Sequence, residues 1–115
     1  MPPKRNPLNL NPLQLKTLTL LQELARLAGK PAAEDADAGG LAITELPHAH
    51  GDHFHLGEAV VAARDATGLR NPSVWAALER KGLIRPKLPE AVILTALGQD
   101  YDTGLREQIL HRAEH

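Results

Sequence analysis

Residues 74–105 read VWAALERKGLIRPKLPEAVILTALGQDYDTGL, and their pattern decides the fold. Val74, Ala77, Leu78 and Lys81 recur at helical spacing and give one face of an amphipathic helix. Gly82 follows as a stop in a backbone conformation that other residues resist. Residues 84–88 and 91–95 read as two short strands joined near Pro89 and Glu90, a two-stranded hairpin. Thr95 then stands as an N-cap before a last helix, expected over residues 98–111 with Leu97, Tyr101, Leu105 and Ile109 four apart. Gly104 weakens the continuity of that helix.

Upstream, Asn11-Pro12 and Asn71-Pro72 repeat one signal, a capping side chain followed by proline at the first helical position. The first opens a helix that runs to Ala28, where Gly29 stops it and Pro31 prevents resumption. Leu13, Leu15, Leu18, Leu20, Leu21, Leu24, Ala25, Leu27 and Ala28 cover so much of its circumference that it needs two partners. One is its own core, and the other is expected to be a second subunit. The second signal opens a helix over residues 71–81. Residues 57–67 are read as a further helix, with Ala59, Val60, Ala63 and Ala66 available for packing. Residues 52–56 (DHFHL) alternate, placing Phe54 and Leu56 on one face of a strand and His53 and His55 on the other. That strand, or a hairpin beginning near Ile43, is expected to lead into the helix, its second strand pairing with the 84–95 hairpin.

The domain plan is therefore an extended, flexible N-terminal arm (1–11), one folded unit (12–111) with a flexible acidic loop at 29–40, and a short tail (112–115). With 115 residues, there is material for one core. The absence of cysteine excludes disulfides and thiolate metal sites. No long apolar run marks a membrane span or a signal peptide, so a cytoplasmic protein without a membrane partner is expected. The acidic residues of the loop, Glu34, Asp35 and Asp37, lack the ligand spacing of a calcium loop. No nucleophile elbow, phosphate-binding glycine loop or dinucleotide fingerprint occurs, and an enzyme is not expected.

The order of elements, with LERKGLI, a hairpin and then LTALGQDY, resembles the MarR-like winged helix-turn-helix transcription regulators over residues 54–105. The resemblance implies a mainly α protein with a small antiparallel β-sheet (α+β), a bacterial-type regulator that binds double-stranded DNA as a homodimer. In that family the second of the turn-linked helices enters the major groove and the wing touches the backbone. Carried over by position, Arg70, Asn71 and Ser73 at the start of the 71–81 helix meet base edges and phosphates. Arg80, Lys81, Arg85 and Lys87 meet phosphate, the source of affinity and salt dependence. The formal net charge is −1, so any basic face is local.

Two further features point elsewhere. Trp75, Ala76 and Glu79 lie outward on the same helix in place of base-reading side chains. This motivates an alternative, a winged-helix protein-interaction module or adaptor anchored by Trp75. His48, His50, His53 and His55 form H-x-H-x-x-H-x-H, with Asp52 as an oxygen ligand or a partner to an imidazole. A metal-responsive regulator binding zinc, nickel or copper is one reading of that cluster. A solvated polar hairpin and a pH-responsive surface are the others.

Overall fold

The computed structural model describes residues 7–31, 39–44, 46, 51–57, 59–87 and 91–112. In chain order the elements are α1 (Pro12–Ala28), β1 (Lys30–Pro31), β2 (Leu41–Ile43), β3 (His53–Leu56), β4 (Ala59–Ala62), two 3-10 turns (Ala63–Asp65 and Thr67–Arg70), α2 (Pro72–Arg80), β5 (Ile84–Lys87), β6 (Ala91–Leu94), α3 (Ala96–Asp100), α4 (Arg106–Ile109) and β7 (His111–Arg112). The fold is α+β, and it carries two antiparallel sheets rather than one. The first has the order β1-β2-β6-β5, the second β3-β4-β7.

The helix N-termini form where the sequence caps them. Asn11 accepts from the Gln14 backbone N–H at 2.8 Å, and the Gln14 side chain accepts from the Asn11 N–H at 3.0 Å, a reciprocal capping box. Asn71 accepts from the Ser73 N–H at 3.0 Å, with Pro72 at the first helical position. Thr95 Oγ1 accepts from the Gly98 N–H at 3.0 Å, as expected of a cap for the helix after the hairpin. Gly29 ends α1 without a left-handed turn, at φ −69° and ψ 145°. What excludes a side chain there is space, since a Cβ would lie 2.6 Å from the Ala25 carbonyl oxygen.

α1 is the central element. Thr17 to Leu21 and Glu23 to Ala25 are all buried, which no one-sided helix could achieve. The expected second partner is this same chain. α1 packs on α2, the second 3-10 turn and strand β2 of the first sheet, and also on β3 and α3. Its apolar circumference therefore does not call for a second subunit. Leu18, Leu20 and Leu21 are almost fully buried, each contributing on the order of 1.5–3 kcal/mol of hydrophobic stabilisation.

Four expectations are corrected. Residues 57–67 are not a helix. Ala59–Ala62 is a strand whose register sets His53 opposite Ala62 and Leu56 opposite Ala59. Gly57 at φ 59° turns the chain between them. Val60 and Val61 are β-branched and suit a strand better than a helix. Second, it is β2 that pairs with β6 of the 84–95 hairpin, while β3 pairs, among the described residues, with β4. Third, the last helix is two short ones broken around Gly104, at φ 70°. His111 and Arg112 then leave helical geometry and extend the second sheet against Val60 and Ala59. Fourth, the described part of the N-terminal arm is held in place: Leu10 is buried, and the Leu8 N–H donates to Tyr101 Oη at 3.2 Å. Lys30 and Pro31, placed in the acidic loop by their sequence, pair with Ala42 and Leu41; Glu34, Asp35 and Asp37 lie outside the described residues.

Candidate nucleic-acid interface

α2 is a helix with one locked face and one open face. Val74, Ala77 and Leu78 are buried, whereas Ser73, Ala76, Glu79 and Arg80 are exposed. Ser73, Ala76 and Arg80 are spaced three and four apart and so share one stripe, about 10 Å long at the helical rise of 1.5 Å per residue. Arg70 is exposed at the end of the 3-10 turn that leads into the Asn71 cap, and Asn71 is half-buried with its side-chain oxygen committed to the Ser73 N–H. The start of α2 thus presents the Arg70 and Ser73 side chains, while its first backbone N–H groups are taken: Ser73 donates to the Asn71 side chain, and Val74 and Trp75 donate to the Asn71 carbonyl.

The two-stranded hairpin follows directly. Leu83 and Ile84 are fully buried and fix its base, and Arg85 points to the exposed side. Lys87 ends β5 opposite Ala91. The hairpin is tied to α3 through Thr95, whose Oγ1 lies 2.7 Å from the Gly82 carbonyl oxygen and 3.0 Å from that of Leu83. Gly98 sits where a Cβ would come within 2.2 Å of the Leu83 oxygen, so α3 rides directly on the start of the hairpin. This explains in physical terms why the stretch LTALG carries threonine and glycine at those places.

Two residues assigned to the interface have internal roles. Lys81 is half-buried and its Nζ donates to the Leu8 carbonyl at 2.7 Å, which ties the N-terminal segment to the end of α2. Trp75 is half-buried against the core and its indole N–H donates to the Leu69 carbonyl at 3.0 Å. Here it joins the turn before α2 to α2 itself.

Among the cations, Arg64 is exposed in the first 3-10 turn, next to Asp65. Asp65 is mostly buried and paired with Lys16 Nζ at 2.8 Å. Lys16 thereby offsets the charge of the acid beside Arg64. Glu79 is exposed on α2 beside Arg80 and subtracts from the positive field there.

β3 bears out the alternation read from its sequence. Phe54 and Leu56 are buried, and His53 and His55 lie on the outer face. The two imidazoles meet edge to face with centroids 4.8 Å apart, and their Nε2 atoms are 3.1 Å apart. Asp52 Oδ1 lies 3.3 Å from His53 Nδ1. His48 and His50 lie outside the described residues. Among the described residues, no group of three or more His, Asp or Glu could hold a metal ion.

One charged cluster escaped the sequence reading. The Glu23 side chain is only 3% exposed and sits between two arginines. Arg26 donates through Nε to Oε1 at 3.0 Å and through Nη2 to Oε2, and Arg106 Nη1 reaches Oε1 at 2.6 Å. The Arg26 hydrogen bonds hold the Glu23 carboxyl below its ordinary value, against the opposing push of burial, with Arg106 adding to the effect. The only sequence signal was the i, i+3 spacing of Glu23 and Arg26; Arg106 joins through the fold. Comparison with models of protein families, with curated proteins and with solved structures finds no match to this chain.

Proposed function

We propose that this chain is a DNA-binding transcriptional regulator of winged-helix type, with α2 as the reading helix and β5–β6 as the wing. The observation that carries the reading is the open face of α2. It is capped at Asn71, flanked by exposed Arg70, striped by Ser73 and Arg80, and joined by one tight turn to a hairpin with exposed Arg85. The strand order β2-β6-β5 supports it, because β2, which lies between α1 and α2 in sequence, pairs with the second strand of the wing. The MarR-like regulators that the sequence resembles would then differ from this chain before α2. There the β3–β4 hairpin and two 3-10 turns replace the first helix of the helix-turn-helix.

The chemistry of that face favours phosphate over bases. Arg70, Arg80 and Arg85 supply charge, Ser73 can bond phosphate or a base edge, and Ala76 offers a methyl for a thymine. Glu79 and the net charge of −1 keep non-specific attraction modest. Recognition of a palindromic site would require a homodimer. With α1 enclosed, Leu97 on α3 and Leu27 at the end of α1 are the exposed large apolar groups among the described residues.

Fluorescence anisotropy with labelled duplexes, on the native chain at low and physiological salt, tests the reading. Binding that weakens with salt, and weakens further in Arg80→Ala and Arg85→Ala, supports it; no binding at low salt removes it. Light scattering at micromolar concentration reads the oligomeric state, and a monomer there argues against a palindromic site. The adaptor reading gains no support from Trp75, whose N–H is used inside the domain.

A further inference from the structure

β3 presents two imidazoles as a fixed pair. Phe54 and Leu56 anchor the strand in the core, β4 pairs with it along its length, and the Ala63 N–H donates to the Asp52 carbonyl at 2.8 Å. The side chains of His53 and His55 therefore rise from a braced backbone, two residues apart on one face. Their Nε2 atoms stand 3.1 Å apart. Two imidazole nitrogens bound to one ion at about 2.0–2.1 Å are about 2.9 Å apart at a right angle and about 3.4 Å apart at the tetrahedral angle. The observed spacing falls between these limits without any movement of the strand.

We propose that His53 and His55 chelate one divalent transition-metal ion of the zinc or nickel class through their Nε2 atoms. Asp52 acts behind the site. Its Oδ1, 3.3 Å from His53 Nδ1, favours the tautomer with the proton on Nδ1 and so leaves the lone pair on Nε2 for the ion. In the metal-free protein the 3.1 Å contact holds one N–H between the two Nε2 atoms. Metal entry moves the His55 proton to its Nδ1, so two neutral imidazoles become two ligands with no change in proton count. Imidazole and divalent zinc or nickel are matched in ligand softness. Among the described residues no third His, Asp or Glu completes the set.

Isothermal titration of the full chain with zinc chloride and with nickel chloride at neutral pH, without DNA, tests the site. The native chain binds at least one of the two ions. His53→Ala and His55→Ala each weaken binding by about tenfold or more as the chelate becomes a single ligand. Asp52→Asn weakens it by about tenfold through the lost support of His53. Circular dichroism melts of the variants establish that they fold. As a measurement independent of substitution, substoichiometric nickel added to the native chain broadens the His53 and His55 ring-proton resonances first. No binding of either ion overturns the proposal. So does binding that survives His53→Ala and His55→Ala but is lost in His48→Ala/His50→Ala. Because DNA is absent, failure here leaves the reading of α2 untouched.

Discussion

The Glu23 carboxylate and the Arg106 guanidinium meet at 2.6 Å across 83 positions of sequence, joining the middle of α1 to the start of α4. Arg26 grips the same carboxylate from the next turn of α1. The acid is buried, while both arginines keep more than half of their surface in water. Loss of the acid is therefore the milder change, because it leaves two cations that can rehydrate, whereas loss of an arginine leaves a buried carboxylate with less compensation.

Glu23→Gln keeps the shape and removes the charge. Its cost at neutral pH is put at about 1–3 kcal/mol, the range for hydrogen bonds to charged groups, with the exposed arginines pulling it towards the low end. The pH dependence has a definite sign. The folded-state carboxyl titrates below its ordinary value of 4.5. Its stabilisation is thus fully present above that value and is lost as pH falls through the lower, folded-state value. Urea unfolding of both proteins at pH 7 and pH 3 should show a gap at pH 7 that narrows at pH 3. A gap of equal size at both would mean that charge plays no part.

Thr95 joins three elements through one hydroxyl, which caps α3 and lies within bonding distance of two carbonyls at the base of the β5–β6 hairpin. Thr95→Ala should cost about 1 kcal/mol, as caps do, and Thr95→Ser should recover most of it. Chemical denaturation reads both. A serine variant as unstable as the alanine variant would assign the effect to the methyl group instead.

Much of this architecture was legible in the sequence, and the reasons are local. Asn11-Pro12, Asn71-Pro72 and Thr95 announce helix starts because a side chain there answers backbone N–H groups that nothing else can. The His53-Phe54-His55-Leu56 alternation was legible for the same reason, one residue at a time. What was missed depends on partners far away in sequence. Ala59, Val60, Ala63 and Ala66 fit a helical period, yet Val60 pairs with His55 on one side and His111 on the other. A sheet of that kind shows in no window of ten residues. A glycine turn directly after an alternating run was the available hint, and Gly57 supplied it. The same limit hid the enclosure of α1 and the third member of the Glu23 cluster. In the candidate interface, the arginines were placed only by resemblance, and the hydrogen bonds of Lys81 and Trp75 required Leu8 and Leu69 to be in position.

Gly68 offers a test of how closely the turn before α2 is seated on α1. A Cβ there would come within 1.8 Å of Thr17 Oγ1, whose hydroxyl is already bound to the Leu13 carbonyl at 2.9 Å. Gly68→Ala should destabilise by about 1–3 kcal/mol through overpacking. Thr17→Ala should restore part of that loss, giving a coupling in a double-mutant cycle. Additive effects of the two substitutions would mean that the turn can shift away from α1 freely.

If the open face of α2 and the β5–β6 hairpin bind the DNA backbone, as proposed, duplex binding depends on salt. The most direct measurement is the salt dependence of duplex binding by anisotropy, for the native chain and for Arg80→Ala and Arg85→Ala. Each phosphate contact contributes about 0.9 to the slope of log affinity against log salt. The account predicts a negative slope for the native chain and a shallower one, by about one contact, in each variant. A slope unchanged in both variants, or no binding at the lowest salt, would contradict it.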